Sequence, residues 1–329
     1  MRGVFFCFVS IGRTIHIVRL AGFLYLLGAC CLHQLVIARY AEQLDWLTRV
    51  PAEFSVHIYN KGAPITDPRV IARADSVTDR PNQGREAETY LTHISSLSPD
   101  ADDGFVVFSQ GDPFEHSPDF LELLGRHGQW QDLQPLAWRW KISRRIPPDL
   151  VLARETGGFV DGLRVRPELF SLQGWTPMGF HDEGTLWLQE TYRQVHRLVP
   201  GTNIAAHFLA MCGLPDIARR AQAHLLGRFS YGAVFAARRS RLAGVMPDAL
   251  EGLRRAALGH EVYGYVLERL WLHLFGADFL LPALLPGPAE LDALDGPVFV
   301  APDRRSKRRR KIESVVRRVK SAVALSAGS

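Results

Sequence analysis

Three short apolar runs constrain this chain more than anything else in it: Leu35–Ala38 (LVIA), Phe54–Tyr59 (FSVHIY) and Phe105–Phe108 (FVVF). Runs of this length and β-branched or aromatic content predict strands buried in a sheet. Each ends in polar residues: Arg39-Tyr40-Ala41-Glu42, Asn60-Lys61-Gly62, and Ser109-Gln110-Gly111-Asp112-Pro113. Between the second and third lies Asn82-Gln83-Gly84-Arg85, then EAETYLTHISSL, whose Ala87, Tyr90, Leu91 and Ile94 share one helical stripe. Strand and helix patterns in alternation predict an α/β fold with a mostly parallel central sheet flanked by helices. Ligands of such sheets bind outside the carboxyl ends of the strands. That rule draws residues 39–42, 60–62, 82–85 and 110–116 to one crevice.

The rest of the chain is read around that sheet. Residues 41–50 (AEQLDWLTRV) predict a helix after the first strand. Residues 125–200, rich in Trp, Pro and Gly, predict loops and short elements capping the sheet. Helices resume near Thr202–His224, SYGAVFA (230–236) predicts a further strand, and a strongly apolar helix runs from about His260 to Phe275. The expected organisation is an apolar N-terminal segment (1–33), an α/β domain (34–280), and a linker with a basic tail (281–329).

Charge is unevenly placed. The formal net charge is +5, yet residues 304–320 alone hold ten Lys/Arg against one Glu, so the remaining chain is net acidic. The body therefore lacks a nucleic-acid-sized basic field; only the tail is suited to touch nucleic acid or an anionic membrane surface, and then non-specifically. Residues 20–32 are apolar over 13 positions, short of the roughly 20 that span a bilayer. A membrane anchor, an extension from a start codon placed too early, and a buried lead-in all remain open for this segment. A cytoplasmic location, with membrane association through either end, is the expectation. The four cysteines show no CxxC or Cys/His metal spacing and read as reduced, buried thiols. With no GxxxxGK[ST] and no GxGxxG, the P-loop and the dinucleotide fingerprint are excluded. Ser109 and Ser230 lack the context of a nucleophile elbow.

Three places carry potential chemistry. In Asn82–Glu86, Gly84 lets the backbone approach a ligand, the helix start favours an anion, and Arg85 supplies a planar fork for phosphate. A plain polar turn, with Glu86 complementing the helix dipole, is the alternative. After the third strand, Asp112 with His116 suits a divalent metal (Mn2+ or Mg2+), or Asp112 alone does so with substrate phosphates. Alternatively, Asp112 caps the next segment and His116 bonds a neighbouring backbone group. Glu268 has Gly264, Tyr265, Trp271 and Leu272 as helical neighbours. An acid there either lines a cleft or pairs with an arginine such as Arg238 or Arg241.

VIARYAEQLDWL (36–47), VHIYNKG (56–62), NQGREAETYLTHI (82–94) and FVVFSQGDPFEH (105–116), with YGAVFAARRSRL (231–242) and VLERLWLHLFG (266–276), resemble in order and spacing the domain of unknown function 3431 family. That resemblance names a domain without supplying a reaction. More loosely, the layout is similar to the nucleotide-sugar half of GT-A-type glycosyltransferases. The likeness implies a nucleotide-sugar donor bound near Tyr40, Glu42, Asn60, Lys61, Asn82, Gly84, Arg85 and Gln110, a glycan or lipid-linked acceptor, and Glu268 as the base of an inverting displacement. At the place of that fold's Asp-x-Asp metal motif this chain reads Gln110-Gly111-Asp112, one carboxylate instead of two. A non-catalytic carbohydrate- or nucleotide-binding domain is the competing expectation.

Overall fold

The computed structural model describes residues 33–98, 103–138, 158–177 and 183–281. The N-terminal apolar segment before His33, Cys7, Cys30 and Cys31, the linker and the basic tail lie outside the described residues.

The three apolar runs form strands β1 (His33–Arg39), β2 (Phe54–Asn60) and β4 (Phe105–Gln110), with β3 (Ser76–Asp79) between the last two in sequence. With β5 (Leu133–Pro135) and β8 (Phe235–Arg238) they make a six-stranded sheet of order β3-β2-β1-β4-β8-β5. The first four strands run parallel; β8 is antiparallel to both β4 and β5. Hence the protein is α/β with a mostly parallel sheet, as expected. A separate two-stranded antiparallel sheet pairs β6 (Glu168–Ser171) with β7 (Leu226–Phe229).

The central strands β1, β2 and β4 are rich in apolar residues because both faces of the sheet are covered there. Leu35, Ile37, Val56, Ile58 and Val107 pack on one side with Trp46, Leu47 and Phe120. Val36, Val106 and Phe108 face the other way, against helices α2 (Arg85–Ser95) and α9 (Glu261–Leu274). The predicted stripe of α2 holds: Ala87, Tyr90, Leu91 and Ile94 are buried. The apolar helix near 260–275 is α9, its start capped by the His260 ring, which accepts the Val262 N–H at 3.1 Å. The helical stretch at 202–224 is two helices, α5 (Ile204–Met211) and α6 (Pro215–Gln222), parted at Gly213, whose φ is +80°. The remaining helices are α1 (Pro68–Arg73), α3 (Phe120–Leu124), α4 (Glu183–His196), α7 (Arg239–Ala243) and α8 (Pro247–Gly259).

Three local expectations fail. Residues 41–50 contain only a 3-10 turn, Asp45–Arg49: Glu42 folds back to accept the Tyr40 and Ala41 N–H groups, and Pro51 follows directly. SYGAVFA is not one strand, because left-handed Gly232 and Ala233 (φ +68° and +56°) turn the chain between β7 and β8. The middle of the chain, expected as loops and short elements, carries the 14-residue helix α4. Among the described residues no helix is long and apolar enough to cross a membrane.

Candidate functional site

Strand order reverses at β1, with β2 and β3 on one side and β4 on the other. This switch point is where an open parallel sheet leaves a crevice. A cavity of about 300 Å3 opens there, lined by Tyr40, Glu42, Lys61, Asn82, Arg85, Glu86 and Gln110 among others. The four polar segments named from sequence therefore do meet, though their side chains divide the labour unequally.

Asn60 and Lys61 face inward. Asn60 is buried beneath the crevice floor, donating to Asp79 Oδ1 at 2.8 Å and accepting from Arg39 Nη1 at 2.6 Å. Lys61 Nζ, also buried, donates to the backbone oxygens of Gln83 (2.7 Å) and Arg85 (2.5 Å) and pairs with Glu88 Oε2 at 3.0 Å. Burial lowers the Lys61 pKa, against the hydrogen bond and charge of Glu88. Both residues thus set the shape of the strand-end loops: Lys61 pins the loop that carries Arg85. Glycines make the close approaches possible. A Cβ on Gly62 would lie 1.7 Å from the Tyr40 carbonyl oxygen, and one on Gly111 would lie 2.7 Å from Glu42 Oε2.

The binding face belongs to the start of α2. Gly84 and Arg85 both take positive φ (+62° and +50°), an uncommon conformation for arginine. It throws the guanidinium across to α9, where it lies 4.2 Å from the ring centroid of Tyr265. Gly264 makes room: a Cβ there would stand 3.1 Å from Arg85 Cδ. Asn82 and Tyr40 are exposed at the rim.

Glu86, which by sequence complements the helix dipole, is also the buried acid of the crevice. Its side chain lines the cavity yet the residue is only 7% exposed, with the Arg85 Nε 3.5 Å from its Oε2. Burial pushes its pKa up; Arg85 pulls it back and Glu268 pushes it further. A signal was present: Glu86 stands four residues before buried Tyr90 and eight before buried Ile94, on the inward stripe of α2.

The turn after β7 abuts Gln110, one of the residues that line the cavity. Gly232 N–H donates to Glu268 Oε1 at 2.9 Å, and its carbonyl accepts from Gln110 Nε2 at 3.0 Å. Half-buried Glu268 is thus held by the Gly232 N–H, and Arg238 and Arg241 both approach Asp132 instead (3.5 and 3.6 Å). His116 packs edge-on against Tyr231, ring centroids 4.8 Å apart, and a Cβ on Gly232 would meet its ring. Exposed Asp112 accepts the Phe114 N–H at 3.1 Å.

For a divalent cation this motif offers one exposed carboxylate, Asp112. The Gln110 amide at the first position of the motif donates its N–H to Gly232, and the one carboxylate, Asp112, already serves as a turn acceptor. Among the described residues no three His, Cys, Asp or Glu side chains are grouped to hold a metal. Compared with known proteins, the chain matches no family model and no curated protein.

Proposed function

We propose that the protein is a glycosyltransferase-like enzyme that moves a sugar from a nucleotide-sugar donor to a glycan or lipid-linked acceptor. The observation that carries this reading is Arg85, held in a left-handed turn at the start of α2 within the crevice at the sheet's switch point. There its fork and the positive end of the helix suit the donor diphosphate. The domain resemblance drawn from the sequence motifs belongs to the same proposal.

In the reaction, the acceptor hydroxyl oxygen forms its bond to the anomeric carbon as the bond to the diphosphate oxygen breaks. The electron pair leaves with the nucleoside diphosphate, whose charge Arg85 balances. The hydroxyl proton passes to the Glu268 carboxylate. Its Oε1 is held by the Gly232 N–H, which leaves Oε2 for that proton. Direct displacement inverts the anomeric centre. Asp112, beyond Gly111, is assigned to the sugar hydroxyls.

Calorimetric titration with nucleoside diphosphates tests the donor site. Arg85→Ala is expected to weaken binding at least about tenfold, the loss of one charge-assisted contact. Glu268→Gln is expected to keep binding and abolish transfer. Affinity independent of manganese is expected from the donor set at Gln110 and Asp112. Unchanged affinity in Arg85→Ala would remove the donor role, and binding without donor consumption in the unaltered protein would establish the non-catalytic binding domain instead.

A further inference from the structure

Arg85, which lines the cavity, leads on the α9 side to a row of aromatic rings. Arg85 lies over Tyr265, and Tyr265 meets Trp187 of α4 edge-to-face with centroids 5.8 Å apart. Trp187 is 44% exposed. The inward stripe of α4 is Thr185, Leu188 and Tyr192, all buried, and Trp187 lies off that stripe. Two bonds fix α4 upon α9. Arg269 Nη2 donates to Thr185 Oγ1 at 2.7 Å, and Tyr263 OH pairs with His196 Nε2 at 2.8 Å. Those ties hold an indole in water at a set place beside a polar cleft, which is the posture of a ligand-binding aromatic. Tyr265 stands three residues before Glu268, so the row ends near that carboxylate on the same side of α9.

We propose that Trp187 and Tyr265 form an acceptor subsite that stacks a sugar ring. A pyranose matches this row in both of its chemistries: its C–H face packs on aromatic carbon, and its rim of hydroxyls reaches a carboxylate acceptor. Seated on Trp187 and Tyr265, the ring directs a hydroxyl toward Glu268 while Arg85 bounds it on the donor side. The direction of transfer rests on the transferase reading above; sugar binding by the two rings does not.

The test is titration of the full chain with neutral gluco-, manno- and chito-oligosaccharides, followed by tryptophan fluorescence and calorimetry. Nucleoside diphosphate affinity is measured in parallel. Trp187→Ala is expected to weaken the bound oligosaccharide at least about tenfold and leave nucleotide affinity unchanged. Trp187→Phe keeps most of the sugar affinity, and Leu186→Ala, an equally exposed neighbour on α4, changes neither. No oligosaccharide binding by the unaltered chain, or equal binding by Trp187→Ala, overturns the subsite. Loss of nucleotide affinity in Trp187→Ala also overturns it, assigning the rings to a nucleobase. Sugar binding that survives in a protein unable to bind nucleotides would sink the transferase reading and leave this subsite standing.

Discussion

Single side chains decide the character of the crevice, and the most consequential are the buried ionisable ones. Lys61 holds the backbone oxygens of Gln83, in the loop before α2, and of Arg85, the first residue of α2, and neutralises Glu88, which Arg80 also contacts. Lys61→Met leaves that loop unpinned and Glu88 with one cation fewer; it is expected to cost about 3 kcal/mol in urea unfolding and to weaken nucleotide binding. Glu86 carries the opposite sign. Burial raises its pKa in the folded protein, so folding favours the protonated carboxyl, and this group's contribution to stability falls as pH rises above its unfolded value of 4.5. Glu86→Gln is therefore expected to be more stable than the unaltered protein at pH 7 to 8, the difference closing as pH drops toward 4.5. Equal unfolding curves across that range would show Glu86 to be better compensated than its surroundings indicate. Neither role could be read from residue type alone. Asn60 and Lys61 stand where strand-end ligand contacts stand, and only the tertiary fold turns their polar atoms inward to backbone partners.

At the scale of elements, the legible parts of the sequence are those whose pattern has a single physical cause. β1, β2 and β4 are apolar because both faces are covered, and α2 and α9 carry stripes because each packs against the sheet. β3 (SVTD) escaped notice as a mostly exposed edge strand. α8 escaped because PDALEGLRRAALG offers few large apolar residues. Patterning also failed where one residue's geometry overrode its neighbours: Glu42 folding back on its own turn, and Gly232 with Ala233 breaking SYGAVFA. The joints between elements are similarly exacting. Tyr40 and Gly62 bring the β1 and β2 loops together backbone to backbone, and a methyl group there would overlap the Tyr40 carbonyl. Gly62→Ala is expected to destabilise by about 3 kcal/mol and to widen the mouth of the crevice. Urea midpoints measured beside a Gly128→Ala control, which has open space around it, check this.

Across the whole molecule, buried histidines set the pH range of stability. The His273 Nε2 accepts the Arg228 N–H at 2.8 Å, and the His33 Nδ1 accepts that of Phe105 at 3.0 Å, so both rings must stay neutral. Burial lowers the pKa of His273 to about 3; burial, then His127, lowers that of His33 to about 4. His93, buried between Tyr59 and Gln34, falls to about 3 for the same first reason. Below pH 6.5 the unfolded chain takes up protons that these three rings refuse in the folded protein, so their contribution to stability is full above that pH and falls beneath it, against the opposite trend of Glu86. Each ring costs about 2 kcal/mol between pH 7 and pH 5, partly offset by Glu86, so unfolding free energy is expected to be lower at pH 5 than at pH 7, with a shallower slope in His273→Gln. The crevice depends on the whole fold in another sense as well. Gln110 and Gly232, which meet across it, are 122 residues apart in the chain, and β8 completes the sheet beside β4 only after nearly all the intervening segments have been made. Synthesis thus delivers one wall of the site long before the other, and closure waits on the slow search for distant partners. A ligand finds nothing to grip until that search has ended: it acts as a lock on the finished molecule, prolonging the life of the native state without guiding the chain toward it.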